Sequence, residues 1–225
     1  LRQDLKKKIA PRWLPLTISL IILAWGALGL SACANKPAGP PAQALVVQVI
    51  DGDTLVLSGG AHVRLLGIDA PEMAHDGQPA DFLAYKAKVV LTELALHRRI
   101  SLQYDLLRYD HYGRLLAYLY LPDHTFINAT LVRRGLARVY TIAPNFGHRE
   151  ELLTAQRQAI EADRGIWKKL LQQDEPYYIG NKNTLRLHRP NCPFGAHMAR
   201  SNRVRFTSLK KAFLEGYSPC RSCKP

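Results

Sequence analysis

A chain of 225 residues has room for one domain of ordinary size and a smaller one beside it. Its 31 Lys and Arg outnumber 18 Asp and Glu, for a formal net charge of +13. Residues 176–225 hold ten Lys or Arg and one Glu, whereas residues 33–175 balance at sixteen against sixteen. That excludes a uniformly basic body and concentrates the basic character after residue 175.

Arg2, Lys6, Lys7, Lys8 and Arg12 precede an apolar run from Leu14 to Leu30, and Leu-Ser-Ala-Cys follows, ending at Cys33. A basic start, an apolar stretch and small residues are the pattern of a secretory signal. The last four residues resemble a bacterial lipobox. That resemblance implies a signal peptide over residues 1–32, a lipid on the Cys33 thiol, and a body held to a membrane outside the cytoplasm, periplasmic or at the cell surface. An uncleaved anchor is the alternative. Residues 33–43, with three prolines and a glycine, have little to bury and form a tether.

From Val46 to Glu72 the residues alternate with the period of a strand, placing Val46, Gln48 and Ile50 on one face and Val47, Val49 and Asp51 on the other. Asp51-Gly52-Asp53 turns into a second strand over 54–57. Gly59-Gly60 turns again, and a third strand over 62–68 carries Arg64 up to Asp69-Ala70-Pro71-Glu72, where Pro71 removes a backbone donor and ends the ladder. A helix is expected over 79–97 with Phe82, Tyr85, Val89, Leu91, Leu94 and Leu96 on its buried face. Strands over 99–106 and 115–121 flank Tyr109-Asp110-His111-Tyr112-Gly113-Arg114. A helix over 128–134 stops at Gly135, residues 139–142 are extended, and a third helix runs over 148–163. The expected fold is α+β: a five-stranded OB-type barrel with three helices over residues 44–170, then a small zinc-stapled α/β module over 176–225.

Asp-Gly by itself signals only a hairpin. Several carboxylates and an arginine at these offsets, joined to the Tyr109–Arg114 segment, resemble the staphylococcal nuclease family over residues 44–167. The resemblance implies that Asp53, Asp69 and the carbonyl of Ala70 hold Ca²⁺, with Asp51 ordering a metal-bound water. Hard oxygen donors on a turn suit that ion. The family has threonine at the place of Ala70, so a hydroxyl hydrogen bond is missing here. Arg64 and Arg114 match catalytic arginines whose planar forks hold phosphate oxygens. Glu72 matches the residue that activates or orients the attacking water. Tyr112 and Tyr140 lie where the family flanks a nucleotide, with core tyrosine as the competing reading. The activity implied is calcium-dependent cleavage of DNA and RNA to 3′-phosphate products. No protein partner is evident in the sequence, and a monomer is expected. The alternative is a nucleic-acid-binding lipoprotein whose barrel has lost catalysis and serves DNA capture.

After Trp167 and a polar joint at 172–176, His188-Arg189-Pro190-Asn191-Cys192 and Cys220-Arg221-Ser222-Cys223 supply four soft or borderline donors, the count of a closed structural Zn²⁺ site. Three cysteines cannot all pair as disulfides, and fifty residues need a staple. His197 is a weaker fourth ligand than His188. The segment resembles the zinc domain of Ada-type DNA repair proteins, where a cysteine ligand that accepts a methyl group stands in place of His188. An imidazole offers no zinc-thiolate nucleophile, so methyl transfer is not expected. Arg200, Arg203, Arg205, Lys210 and Lys211 are the expected nucleic-acid patch.

Overall fold

The computed structural model describes residues 39–225. The signal pattern and Cys33 lie outside the described residues. Strand β1 (Gln43–Val49) pairs antiparallel with β2 (Thr54–Leu57), and β2 with β3 (His62–Leu65). A bulge between Val46 and Gln48 interrupts β1, so Val46 and Val49 both face the core while Val47 is exposed. The two-residue phase expected from Val46 to Asp51 therefore changes sides at the bulge, because one extra residue turns every later side chain to the opposite face.

The third strand is shorter than its apolar run. It stops at Leu65, and Gly67 then takes φ +75° in a turn where an added Cβ would lie 2.5 Å from Leu152 Cδ1. The two residues of β4 (Ile68–Asp69) resume beyond it. Helix α1 (Ala84–Ala95) buries Ala84, Ala87, Val90, Leu91 and Ala95, whereas Phe82, Tyr85 and Val89 are exposed. Leu91 is buried and Leu94 packs on the core as expected, but three alanines and Val90 take the place of Phe82, Tyr85 and Val89 on the buried face. Close approach is the reason: a Cβ on Gly52 would sit 2.6 Å from Ala70 Cβ and 2.7 Å from Ala87 Cβ, so turn, helix and the residues after β4 meet where only small side chains fit.

Strands β5 (Arg99–Gln103) and β6 (Leu115–Tyr120) close a barrel in the order β1-β2-β3-β6-β5, with β3 and β6 parallel. Helix α2 (Ile127–Arg133) ends before Gly135, whose φ is +67°. Its Asn128 is fully buried and ties two strand ends: the amide of Leu119 donates to Oδ1 at 3.0 Å, and Nδ2 donates to Leu66 O at 2.9 Å. Strand β7 (Arg138–Val139) pairs with β4, followed by α3 (Arg149–Glu161) and the single turn α4 (Trp167–Leu170).

The C-terminal residues form β8 (Tyr178–Asn181), β9 (Arg186–His188), α5 (Pro193–Ala196), β10 (Arg203–Phe206), α6 (Leu209–Leu214) and β11 (Ser218–Pro219). The sheet order is β10-β8-β9-β11. Their core joins Tyr178, Leu187, Phe206, Phe213 and Tyr217 to Trp167 and to Ala159 and Ile160 of α3. Gln156 of α3, fully buried, spans the seam. Its Oε1 accepts from the amide of Val139 at 2.7 Å and its Nε2 donates to Phe213 O at 2.6 Å. The joint at 172–176 is structured as well, the Tyr178 hydroxyl accepting from the amides of Asp174 and Glu175. Barrel and C-terminal module therefore meet through packed side chains. Among the described residues no helix is long and apolar enough to cross a membrane.

Candidate active site

The β1–β2 turn is held by Asp51, whose Oδ1 accepts from the amide of Asp53 at 2.9 Å. This aims Asp53 inward, where it is buried and its Oδ2 accepts from the amide of Ala70 at 2.7 Å. Asp69, also buried, enters from β4. Arg64, on β3, lies between the two carboxylates, with Nε 3.0 Å from Asp53 Oδ1 and Nη2 3.0 Å from Asp69 Oδ1. Its Nη1 donates to Leu65 O and Ile68 O at 2.7 and 2.8 Å. Arg138, opposite Asp69 in the β4–β7 pair, binds Asp69 Oδ2. No local pattern in the sequence marks Arg138; strand pairing alone delivers it.

Burial pushes the Asp53 carboxyl up to about 7; Arg64 draws it down, while Asp51 and Asp69 push it further up. Burial also works against the Arg64 charge, but Asp53 and Asp69 outweigh it and hold the guanidinium above its usual range. Three clustered carboxylates thus face two guanidinium groups, Arg64 and Arg138. Two buried carboxylates beside a turn are hard oxygen donors and fit a hard divalent cation such as Ca²⁺ better than a thiophilic metal.

Glu72 is exposed and follows Pro71, with its amide donating to Asp81 Oδ2 at 3.1 Å. It lines a cavity of about 750 Å³ together with Asp51, Asp69 and Arg138. Arg114 and Tyr112 sit on the β5–β6 loop. Arg114 is anchored by Asp110, Nε to Oδ2 at 2.8 Å, and its guanidinium lies 5.3 Å from the Tyr112 ring centroid. Neither Arg114 nor Tyr112 lines the Glu72 cavity. Tyr140 sits instead beneath the C-terminal module, with the Arg186 guanidinium 3.7 Å and that of Arg221 5.3 Å from its ring centroid.

In that module the ligand atoms of His188, Cys192, Cys220 and Cys223 all lie within 4.8 Å of one another. Tetrahedral ligands at a metal–sulfur distance of about 2.3 Å need comparable separations. His188 Nδ1 is 3.3 Å from Cys192 Sγ, and Arg189 donates its amide to Cys223 Sγ at 3.4 Å. Burial pushes the Cys223 thiol up to about 12. Burial opposes the Cys192 thiolate too, but the amides of Gly195 and Phe194 and the neighbouring thiols outweigh it. Burial, with Arg186 nearby, lowers the His188 pKa and keeps the ring neutral, as a metal ligand must be. His197 is turned away, its Nδ1 2.7 Å from Pro193 O. The donor set suits zinc. Within the basic patch, Arg203 donates to Met198 O and Ala196 O and Arg205 packs over Tyr177, while Arg200, Lys210 and Lys211 are exposed.

Residues 62–169 match the family model described as staphylococcal nuclease homologue. A thermonuclease of Staphylococcus hyicus is 33% identical over 125 residues, covering 54% of this chain and 73% of the relative. The chain belongs to the staphylococcal nuclease family. The class that goes with this nuclease domain is a hydrolase. The thermonuclease of Staphylococcus intermedius is 35% identical over 128 residues, 56% of this chain and 76% of the relative. A probable endonuclease of Leptosphaeria maculans is 34% identical over 132 residues, 55% of this chain and 44% of that protein. Residues 166–225 match the metal binding domain of Ada. This staphylococcal nuclease homologue therefore carries a zinc-binding domain at the end of its barrel.

Proposed function

We infer that the protein is a calcium-dependent endonuclease that cleaves DNA and RNA to 3′-phosphate ends, anchored outside the cytoplasm through lipidated Cys33. One observation carries the catalytic part of this reading: buried Asp53 and Asp69 meet Arg64 beside a cavity onto which exposed Glu72 opens. Family membership supports nucleic acid as the substrate. The signal pattern and Leu-Ser-Ala-Cys support the address.

The residues divide the work as follows. Asp53, Asp69 and the Ala70 carbonyl would hold Ca²⁺, which when bound supplies positive charge to a phosphodiester. Arg64 gives Nη1 to two carbonyls and one Nη2 hydrogen to Asp69, and offers its remaining Nη2 hydrogen to a phosphate oxygen. Arg114, oriented by Asp110, supplies a second fork to the charge that grows in the five-coordinate transition state. Glu72 takes a proton from the attacking water as the oxygen bonds to phosphorus. The bond to the 5′ oxygen breaks and that oxygen takes a proton from solvent water, Glu72 returning its own proton to solvent, which gives a 3′-phosphate and a 5′-hydroxyl.

The test is hydrolysis of single-stranded DNA with calcium and with chelator, beside Glu72→Gln and Arg114→Ala. Calcium-dependent cleavage lost in both variants supports the reading. Folded, calcium-loaded protein that binds DNA without cutting it would leave a nucleic-acid-capture protein instead.

A further inference from the structure

Two cavities meet at the seam between barrel and zinc module. The first, about 750 Å³, opens on Asp69 and Glu72; the second, about 680 Å³, is lined by Tyr140, Ile142, Phe146, Arg186 and Phe194. Both are lined by Cys220 and Arg221. Arg221 stands between Cys220 and Cys223, so a metal held by the cluster would fix where its side chain starts. The side chain itself is 70% exposed, with Nη2 3.9 Å from Asp69 Oδ1. A contact that long and that solvated holds the guanidinium only weakly, leaving it free for a stronger anion.

Around it lies an arrangement that the barrel alone does not possess. Arg186 fixes the seam, donating to Thr141 O at 3.0 Å and to the Ser218 hydroxyl while covering Tyr140. Beyond it, Phe146 and Phe194 are 48% and 65% exposed on the same cavity. Exposed rings interleaved with cations along a groove are what single-stranded nucleic acid uses, because every base has a face to stack and every linkage a charge to pair.

We propose that this seam is a binding groove for single-stranded nucleic acid, in which Arg221 holds a phosphate next to the scissile one and Phe194 and Phe146 stack the bases beyond it. The groove rests on the nuclease reading for its neighbour and extends it to the zinc module. Zinc then serves substrate binding by fixing the loop that presents Arg221.

The experiment uses the zinc-loaded full-length protein and a short fluorescein-labelled oligothymidylate. Binding is followed by anisotropy in the Glu72→Gln background with calcium, and kcat and KM are read in the otherwise unchanged protein. Arg221→Ala should raise Kd and KM about tenfold with kcat little changed, and should lower the salt slope by about 0.7, the loss of one single-strand phosphate contact. Arg221→Lys should restore the slope but not the full affinity, and Phe194→Ala should weaken binding severalfold without moving the slope. Lys168→Ala, exposed and outside both cavities, should match the parent. Zinc content reports whether each variant is folded, and Phe194→Ala carries the test if Arg221→Ala loses its metal. Unchanged Kd and slope in Arg221→Ala would overturn the groove. So would a lower KM, which would mean that Arg221 plugs the site. A parent that binds through Arg221 but never cleaves would sink the nuclease reading and leave the groove standing.

Discussion

Replacing Gln156 by alanine removes the buried amide that serves barrel and zinc module at once. Its Oε1 satisfies the amide of Val139 on β7, and its Nε2 satisfies Phe213 O in α6. Alanine leaves the Val139 amide buried and unpaired, at about 1–3 kcal/mol, and takes from Phe213 O one of its two donors, the Gly216 amide at 3.0 Å remaining. It also opens a cavity where the side chain was fully enclosed. The expected total is about 2–5 kcal/mol, and at roughly 2–4 °C per kcal/mol for a chain of this size the melting temperature should fall by about 4–20 °C. Gln156→Glu should cost at least as much, since a carboxylate still accepts from Val139 but turns an oxygen toward the Phe213 carbonyl. The assay is thermal melting by circular dichroism, with zinc release followed in parallel by a chromogenic chelator. If barrel and module form one cooperative core, both signals move together. A Gln156→Ala protein melting within about 1 °C of the parent, or a module that releases zinc early while the barrel melts unchanged, would refute the reasoning.

Three further outcomes are expected. The N–H groups of Arg114 and Tyr112 and the Arg114 fork outweigh burial and hold Asp110 below its ordinary 3.8; that stabilisation is complete above the ordinary value and lost as pH falls through the folded one. Asp110→Asn should therefore remove an acid-side component of the stability profile and lower kcat by misorienting Arg114; equal pH profiles for both proteins would count against it. Gly52→Ala puts a methyl 2.6 Å from Ala70 Cβ and 2.7 Å from Ala87 Cβ, so about 1–3 kcal/mol of stability should go, with weaker calcium binding by calorimetry as the turn shifts. Stripping zinc from the Cys192–Cys220–Cys223–His188 cluster should raise the KM for DNA as Arg221 loses its mount, and zinc added back should restore it. Unaltered KM in the zinc-free protein would separate the module from the site.

Much of the site is legible along the chain because its parts are local. Asp51 and Asp53 belong to one turn, and Asp69, Ala70 and Glu72 to one strand end. Cys220 and Cys223 share a knuckle, so spacing alone places them. The glycines at 52 and 135 announce their turns for the same reason. The buried face of α1 was legible only at Leu91 and Leu94; Phe82, Tyr85 and Val89 offer larger apolar side chains than the enclosed alanines, and only the approach of Gly52 and Ala70 decides between them. The bulge in β1 was equally hidden, because Val46, Val47 and Val49 satisfy either phase.

The sequence by itself supplied the zinc donors, three thiols and an imidazole, and the candidates of the proposed chemistry, Asp53 and Asp69 for a cation and Arg64 and Arg114 for phosphate. Only the tertiary structure decided their company. Strand pairing sets Arg138 on Asp69, a buried Gln156 fastens the module to α3, and the zinc knuckle brings Arg221 to within 3.9 Å of an aspartate 152 positions earlier in the chain. Contacts across such separations leave no periodic trace, because what selects them is the close packing of surfaces that the chain creates only once it has folded.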